Sequence, residues 1–294
     1  MKKIAFLFLT IENINFPAIW DKYLKNNKRK ISIYIHAKRP EKVTWHADDV
    51  LGKIHETEWG FITRAYLELM AEAFKDAANF KFVTISESCV PIKSFADFYD
   101  AATGDEDSWI ARMQLTRYDL EHRLSKAEGK PPLQHIMKHA ARFCLNREHV
   151  EQLLQRSPQL EYFHNMHVGD EFFLSVLQPL KHCKNFAVTY DDWDYVENIK
   201  REIKTKIRKL YEKQEKTRDK RIDYGQQIKT LQNHFNDIAK NPKTITDVAD
   251  DLMKIKKCKS FFYRKFSADS NIGEYWKEII GASSAAATNT RQKK

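Results

Sequence analysis

Three polar residues follow directly on a short apolar segment. Phe82 to Ile85 is an aromatic and β-branched run that ends abruptly at Ser86, Glu87 and Ser88, a pattern typical of a buried strand that delivers polar groups to the edge of a sheet. Many enzymes that handle nucleotide-sugars carry Asp-x-Asp at such a place, where it holds a metal ion under the diphosphate. Because serines replace both outer acids, a site of this kind would need groups from elsewhere in the chain to hold the phosphates.

Two later segments carry charged pairs that could supply chemistry. The segment GDEFFLSVL contains Asp170 and Glu171, and FFYRKFS contains Arg264 and Lys265. A carboxylate can remove a proton as a general base, and a fixed cation can stabilise charge that develops on a leaving group. Each pair also has an ordinary interpretation, because acids are favoured in the first turn of a helix and basic pairs are often solvated.

Two patterns raise the question of a metal site. His135 and His139 in HIMKH have i, i+4 spacing, but the segment lacks the Glu of a zinc protease motif, and packing or surface roles are the favoured interpretation. Asp192 and Asp194 form a nominal Asp-x-Asp after a predicted strand, which leaves a metal site there open. The acidic run 105–107 follows Gly104 with no strand before it and predicts a turn.

The composition predicts a folded, basic protein. The 294 residues are 42% hydrophobic, enough for a large core, and 50 Lys and Arg against 40 Asp and Glu give a formal charge of +10. Eleven basic and four acidic residues between Lys200 and Arg221 contribute +7 of that excess, which suggests an anionic partner.

No Cys-x-x-Cys pair occurs, so we expect free thiols. No run approaches the roughly 20 apolar residues of a membrane span, and the apolar start is too short for a secretory signal.

The first half of the chain alternates strand-like and helix-like segments, the pattern of an α/β sheet covered by helices. Predicted strands cover Ile4–Leu9, Ile31–Ile35 and Phe82–Ile85. Open α/β sheets bind ligands at the carboxyl ends of their strands. The residues that follow the first two strands are therefore candidate ligand contacts: Thr10, Ile11, Glu12, His36, Ala37 and Lys38.

The second half is predicted to be more helical. A polar loop with a glycine and two prolines, typical of a binding loop, spans residues 117–132. The other predicted elements are helices at His135–Gln155 and Glu171–Leu177, a strand at Phe186–Tyr190, a charged helical hairpin at Val196–Ala239, and a last helix at Ile272–Ile280. We expect residues 1–280 to form a single domain that includes the hairpin, and residues 281–294 to be a disordered tail.

With these segments in order, the chain resembles the core-2/I-branching family of inverting glycosyltransferases. The similar stretches are KIAFLFLT, ISIYIHAK, TEWGFITRAYLELMAEAFKDAANFKFVTISESCVPIKSF, GDEFFLSVL, TYDDW and FFYRKFS. They occur in the family's order up to about Phe266, apart from the charged hairpin. The resemblance implies a GT-A fold, a nucleotide-binding α/β/α sandwich, here with the hairpin as an insertion.

The resemblance also implies a mechanism without a metal ion, so we expect no metal and no other cofactor. Glu171 corresponds to the family's general base, and Asp170 to a helix cap or orienting neighbour on the acceptor side. Arg264 and Lys265 match the element that neutralises the departing diphosphate. A second basic residue is expected some twenty positions upstream, where Lys243 is the candidate.

Further site residues follow from the same resemblance. Ser86, Glu87 and Ser88 are candidate contacts to the donor sugar or ribose, and Trp59 is either a core residue or a wall of the donor pocket. The candidate acceptor contacts are Arg117 and Tyr118 in the polar loop and Trp193 in TYDDW. The implied partners are a UDP-sugar donor and a glycan or glycoprotein acceptor.

The sequence defines the donor sugar and the cellular location of the protein less well. Known donors of the family are UDP-N-acetylglucosamine and UDP-xylose, with glucuronate also used; the Ser-Glu-Ser variant favours xylose. The absence of a membrane anchor and of many cysteines predicts a cytoplasmic protein, with peripheral docking to an acidic surface through the basic hairpin as an option. The alternative class is a basic nucleic-acid- or polyanion-binding protein, although we expect no nucleic acid. The linkage and oligomeric state are not predicted.

Overall fold

The computed structural model describes residues 1–125, 129–216, 224–238 and 242–291, with backbone only at 157, 158, 238 and 282–291. The described helices are α1 Pro17–Leu24, α2 Thr63–Phe74, α3 Phe95–Thr103, α4 Arg147–Gln155, α5 Glu161–His164, α6 Trp193–Lys216, α7 Gly225–Ile238, α8 Leu252–Lys257 and α9 Ile272–Arg291. The strands are β1 Lys3–Thr10, β2 Ile31–Ala37, β3 Asn79–Ser86, β4 Val90–Pro91, β5 Ser108–Trp109, β6 Arg112–Met113, β7 Lys138–His139, β8 Cys144–Asn146, β9 Cys183–Lys184, β10 Thr189–Asp191 and β11 Phe262–Arg264.

A six-stranded mixed sheet forms the centre, with strand order β2-β1-β3-β8-β5-β9. β1 pairs in parallel with β2 and β3, and β8 runs antiparallel to β3. Alternate residues of β1 enter two separate cores, with Phe6 and Phe8 on the α1 side and Ala5 and Leu7 on the α2 side. Because both faces of the sheet are buried, its first strands are almost continuously apolar. The predicted α/β sandwich is confirmed.

A smaller sheet lies against the central one on the α1 side. It has the order β10-β11-β4, with β10 and β11 parallel and β11 and β4 antiparallel. Phe262 of β11 stacks on Trp20 of α1, with ring centroids 5.8 Å apart. Trp276 of α9 donates its Nε1–H to the Pro91 carbonyl at 2.8 Å. The aromatic contacts thus attach the carboxyl-terminal elements to the central sheet.

The helix predicted over His135–Gln155 is wrong in its first half. His135 ends a short 3-10 turn, and β7 and β8 follow before α4 begins at Arg147. Phe143 exchanges hydrogen bonds with Thr84 of β3, so pairing with the central sheet overrides the helical tendency of this segment. Asn146 caps α4 by accepting the His149 N–H at 2.8 Å, which is a normal helix start.

Three other boundaries differ from the sequence prediction. Two short 3-10 segments, Gly169–Glu171 and Phe173–Leu177, replace the helix expected at Glu171–Leu177. The strand expected at Phe186–Tyr190 is β10, which starts later. α9 extends through Arg291 into the segment whose composition predicted disorder; residues 292–294 lie outside the described residues.

The charged hairpin segment is helical where it is described. α6 and α7 pack against each other, and Ile203 and Ile228 are buried between exposed charged faces. Residues 217–223 and 239 of the predicted hairpin lie outside the described ranges. Among the helices whose residues are described, none is both long and apolar enough to cross a bilayer.

Replacing Trp20 with Ala should lower the free energy of unfolding by about 3–5 kcal/mol, as expected for removing a large buried ring. Trp20 is fully buried, packs against Phe8 and Phe262, and donates to the Cys89 carbonyl at 3.2 Å. Urea unfolding would measure the loss, with Tyr211→Ala at an exposed position of α6 as a control that changes by less than about 0.5 kcal/mol. Equal losses in the two variants would contradict this packing.

Candidate active site

The short turn that carries Glu171 is fixed by a glycine with no room for a side chain. A Cβ on Gly169 would lie 1.9 Å from the Phe163 carbonyl oxygen. The preceding Val168 has a left-handed backbone conformation with φ 62°, and its N–H donates to the Gly60 carbonyl at 2.7 Å. The turn is therefore held tightly against the segment that leads into α2.

Glu171 is a partly buried carboxyl group, with a side chain that is 25% exposed. Burial, followed by the charge of Asp170, raises its pKa from the ordinary 4.5 to about 7, against the opposing effect of Lys138 and Arg123. The two cations lie 3.8 and 3.9 Å from the Glu171 Oε2. A carboxyl group with such a pKa can accept a proton near neutral pH.

The two cations beside Glu171 are held by the fully buried Asp119. Its carboxylate accepts from Arg123 at 2.7 Å, from Lys138 at 3.0 and 3.3 Å, and from the N–H and hydroxyl of Thr116 at 2.9 and 2.7 Å. Although burial raises the pKa of Asp119, the hydrogen bonds from Thr116 and Lys138 lower it overall. The polar loop is thus anchored to β7 next to Glu171. The only sequence signal for this cluster is the polar composition of the loop.

Asp170 is buried, and among the charges that act on it is Arg142, a residue that the sequence analysis does not identify as a site candidate. The Asp170 Oδ1 has no hydrogen-bond partner among the described residues. Burial raises the pKa of Asp170, and the Arg142 guanidinium is the largest opposing influence. The Nη1 of Arg142 donates to the Tyr66 hydroxyl at 3.2 Å. Arg142 lies in the segment predicted to be helical, where its position relative to Asp170 could not be inferred.

Arg264 is aligned by an ion pair across the smaller sheet. The register of β10 and β11 places Asp191 opposite Arg264, and the Arg264 Nη1 donates to the Asp191 Oδ1 at 2.8 Å. The next residue, Lys265, is partly buried. Burial and the neighbouring Arg264 charge lower the pKa of Lys265, while the Glu87 carboxylate opposes them. The two candidate diphosphate contacts are therefore close to the polar residues that follow β3.

Lys243 lies beside the same segment, but its ammonium group is engaged. The Ile245 N–H donates to the Lys265 carbonyl at 2.8 Å, so the chain around Lys243 runs along the end of β11. The Lys243 Nζ pairs with the Asp251 carboxylate at 2.7 and 2.8 Å. A diphosphate would have to compete with Asp251 for this cation.

The polar residues after β3 meet both the loop after β1 and the end of β11. The Glu87 carboxylate accepts the Ile11 N–H at 2.7 Å. The Ser86 hydroxyl lies 3.4 Å from that of Ser88, and the Ser88 carbonyl accepts the Phe266 N–H at 3.3 Å. The structure thus brings three of the predicted donor and diphosphate segments together.

The other donor candidates after β1 and β2 are partly used in local contacts. The Thr10 hydroxyl donates to the Glu12 carbonyl at 2.6 Å, and the Glu12 carboxylate pairs with Arg39 at 2.9 Å and Lys42 at 3.0 Å. Lys38 is exposed, and its N–H donates to the Thr10 carbonyl at 3.0 Å. Of Thr10, Glu12 and Lys38, only Lys38 is exposed.

Two candidates at the end of β2 lie inside the protein. His36 and Ala37 are fully buried; the His36 Nε2 accepts the His55 N–H at 2.9 Å, and burial lowers the pKa of His36 to about 4. Trp59, by contrast, is 66% exposed, with its ring 5.0 Å from that of His167. Trp59 is therefore not a core residue.

The acceptor candidates are on the surface. Arg117 pairs with Glu121 at 2.6 Å. Tyr118 is 59% exposed, with its ring 4.6 Å from that of His122. Trp193 is exposed at the start of α6. Exposed aromatic rings of this kind offer flat apolar faces with polar surroundings.

The Asp-x-Asp candidate is engaged in other contacts. Asp192 is buried and accepts from the Lys254 Nζ at 2.6 Å, and Asp194 accepts from the Tyr190 hydroxyl at 3.0 Å. Within the described parts of the chain, no three His, Cys, Asp or Glu side chains are grouped so that they could hold a metal ion. The present contacts of Asp192 and Asp194 do not fit a shared divalent cation.

Replacing Gly169 with Ala should destabilise the protein by about 1–3 kcal/mol, because the added methyl group overlaps the Phe163 carbonyl and forces the turn to move. The matched control is Gly273→Ala in α9, where an added Cβ meets nothing within 4 Å and alanine favours the helix. Urea unfolding of both variants would measure the difference. A Gly169→Ala variant as stable as Gly273→Ala would contradict this account of the turn.

Comparison with known proteins identifies the family. Residues 4–220 match the model of the Core-2/I-Branching enzyme family. Glycosyltransferase BC10 from Oryza sativa subsp. japonica is 26% identical over 208 residues, which are 65% of this chain and 47% of that protein, so the chain spans about half the length of this curated relative. The α/β sandwich is consistent with a GT-A-like fold. The chain belongs to the core-2/I-branching enzyme family, a family of glycosyltransferases.

Proposed function

We propose that the protein is an inverting glycosyltransferase that moves a sugar from a UDP-sugar to a hydroxyl of a glycan or glycoprotein in a single displacement, without a metal ion. The observation that carries this proposal is the position of Glu171. It is a partly buried carboxyl group with a pKa near 7 on a rigid turn, in a chain that belongs to a glycosyltransferase family.

In the proposed reaction, the acceptor hydroxyl gives its proton to the Glu171 carboxylate as its oxygen attacks the anomeric carbon. The bond from that carbon to the UDP oxygen breaks on the opposite face, so the configuration inverts and UDP leaves with the bonding electrons. Lys138 and Arg123, fixed by Asp119, keep part of the Glu171 population ionised near neutral pH. The exposed ring of Tyr118 is available to one face of the acceptor sugar.

Arg264 and Lys265 are the proposed contacts of the diphosphate. Negative charge develops on the departing UDP, and preorganised cations stabilise it without reorganisation at the moment of reaction. The Asp191 ion pair holds the Arg264 guanidinium in place, and the Glu87 charge faces Lys265. Since the Asp192 and Asp194 side chains are engaged with Lys254 and Tyr190, these contacts support metal-independent transfer.

For the donor sugar we propose xylose, with N-acetylglucosamine as the alternative. The preference rests on Ser86 and Ser88, whose hydroxyls replace the outer acids after β3 and lie close together. Xylose lacks the exocyclic hydroxymethyl group and the acetamido group, so the two donors differ in the space they need beside these hydroxyls. Comparison of both UDP-sugars in one transfer assay would decide between them.

Replacing Glu171 with Gln should lower kcat by at least about 100-fold, because the amide cannot accept the acceptor proton. UDP binding should be retained, since Glu171 is not proposed to touch the diphosphate. The control is Glu151→Gln at an exposed position of α4, which should keep its activity. Turnover retained by Glu171→Gln would remove Glu171 from the mechanism.

The pH dependence should reflect the raised Glu171 pKa of about 7. The rate should fall as the pH drops below about 7, because the protonated acid cannot act as the base. The free energy of unfolding should fall as pH rises from 4.5 to about 7, because the unfolded state ionises first and the folded state resists ionisation. The Glu171→Gln variant should not show this fall, because glutamine does not titrate. A rate that is constant between about pH 5 and pH 8 would contradict the assignment.

UDP-sugars should raise the melting temperature of the protein equally with and without EDTA, since a ligand that binds the folded state stabilises it. Arg264→Gln and Lys265→Gln should each reduce this shift, whereas Lys277→Gln, an exposed position of α9, should not. Loss of the shift in EDTA would contradict metal independence. A shift with oligonucleotides but not with UDP-sugars would favour the polyanion-binding alternative, with the cations of α6 as its surface.

A further inference from the structure

Asp119 is a buried acid whose carboxylate is surrounded by hydrogen-bond donors. Its Oδ1 accepts from the Arg123 Nη1 at 2.7 Å and from the Lys138 Nζ at 3.3 Å. Its Oδ2 accepts from the Lys138 Nζ at 3.0 Å and from the N–H and hydroxyl of Thr116 at 2.9 and 2.7 Å. A carboxylate has about four lone-pair sites, so these donors use its full capacity. Because its side chain is also 0% exposed, Asp119 has no surface with which to contact a substrate.

Both cations that Asp119 holds also face Glu171. The Arg123 Nη1 lies 2.7 Å from the Asp119 carboxylate but 3.9 Å from the Glu171 Oε2. The Lys138 Nζ lies 3.0 Å from the Asp119 carboxylate but 3.8 Å from the same Glu171 oxygen. A charged N–H···O hydrogen bond is about 2.7–2.9 Å long, so neither cation makes one with Glu171, although each would need to move by only about 1 Å to do so.

Stability alone does not account for this buried group of charges. Replacing a buried ion pair with apolar side chains of similar volume is often neutral or stabilising, whereas removing one partner is costly. Here the Asp119 carboxylate joins Arg123 of the polar loop to Lys138 of β7. Apolar side chains could join the same two segments without placing two positive charges beside Glu171. The buried charges therefore indicate a role beyond packing.

We propose that Asp119 is a positioning residue for the glycosyl transfer proposed above, on which this inference rests: it keeps both cations in its own ion pairs and so leaves the Glu171 carboxylate free to accept the proton of the acceptor hydroxyl. A carboxylate that accepts a hydrogen bond from a cation is stabilised in its ionised form and is therefore a weaker base. The charged groups that act on Glu171 are Asp170 from its own turn, Lys138 from β7, and Arg123 and Asp119 from the polar loop.

The first test is the pH profile of Asp119→Asn in the full chain. Asparagine keeps the shape of the side chain but removes its charge, so the two cations lose their ionic partner and can close the remaining distance to Glu171. The pH at which kcat is half its maximum on the acid side should therefore fall by about one unit. A purely structural role would lower the melting temperature and leave this pH where it is.

The matched control is Asp105→Asn. Asp105 is also a partly buried acid that holds a lysine, with Lys184 at 2.8 Å, and it accepts from the Trp109 Nε1 at 2.7 Å. It lies in a part of the chain that supplies no candidate site residue. Asp105→Asn should lower the melting temperature while the half-maximal pH of kcat stays unchanged.

The same shift is measurable without turnover. In protein with ¹³C-labelled glutamate, the pH titration of the Glu171 side-chain carbon, assigned by its absence from Glu171→Gln, follows the ionisation of the base directly. The wild-type midpoint should be about 7. Asp119→Asn should lower this midpoint by about one unit, and Asp105→Asn should not change it.

Two further variants keep the test informative if Asp119→Asn folds poorly. Lys138→Gln removes one cation and should move the Glu171 midpoint to higher pH, because Lys138 lowers the pKa of Glu171. Adding Asp119→Asn to Lys138→Gln leaves fewer buried charges unpaired. The midpoint of this double variant should lie below that of Lys138→Gln, since Arg123 is then released towards Glu171.

Several outcomes would overturn the positioning role. A Glu171 midpoint that is unchanged or higher in Asp119→Asn would do so, and so would an equal shift in Asp105→Asn. A double variant whose midpoint is no lower than that of Lys138→Gln would also count against it. A wild-type protein that transfers no sugar from any UDP-sugar would overturn the proposed function, while the titration of Glu171 still decides whether Asp119 keeps the cations away from it.

Discussion

Two adjacent carboxyl groups, Asp170 and Glu171, are buried or partly buried, and the charges around them determine how readily each one ionises. An ionised carboxylate inside a protein is strongly unfavourable unless cations and hydrogen bonds compensate for the lost hydration. At Asp170 the Arg142 charge opposes the effect of burial without outweighing it, while Lys138 and Arg123 lie almost 4 Å from Glu171. Because the compensation at Glu171 is incomplete, its pKa stays near 7, which is the property a general base requires.

The cations near these two carboxyl groups come from segments that are distant in the chain. The site therefore forms only when the chain is folded. Asp119 joins the polar loop to β7 through Arg123 and Lys138. β8 brings Arg142 to the hydroxyl of Tyr66 through its pairing with β3. Gly169 then allows the turn that carries Glu171 to approach within van der Waals distance of neighbouring backbone. The pKa of Glu171 thus depends on burial and on charges that come from segments distant in the chain.

On the other side of the candidate site, a pair of strands orients a cation. The short parallel pair β10 and β11 sets Asp191 against Arg264, so the guanidinium is oriented by the sheet register. In the proposed reaction, the Arg264 guanidinium held by Asp191 would supply the positive charge that faces the diphosphate. That arrangement is compatible with serines after β3, where the hydroxyls of Ser86 and Ser88 carry no charge that would repel a diphosphate.

The sequence by itself predicted the first three strands, because local apolar periodicity is contained in consecutive residues, and its resemblance to the family supplied the candidate residues Glu171, Arg264 and Lys265. Only the tertiary structure decided that residues 138–139 and 144–146 form strands, that His36 is buried and that Lys243 is engaged by Asp251. It also decided that Asp119 holds Arg123 and Lys138 beside Glu171. These features depend on partners far away in the chain, and the strength of a charge interaction is set by distance and burial, which no local pattern encodes.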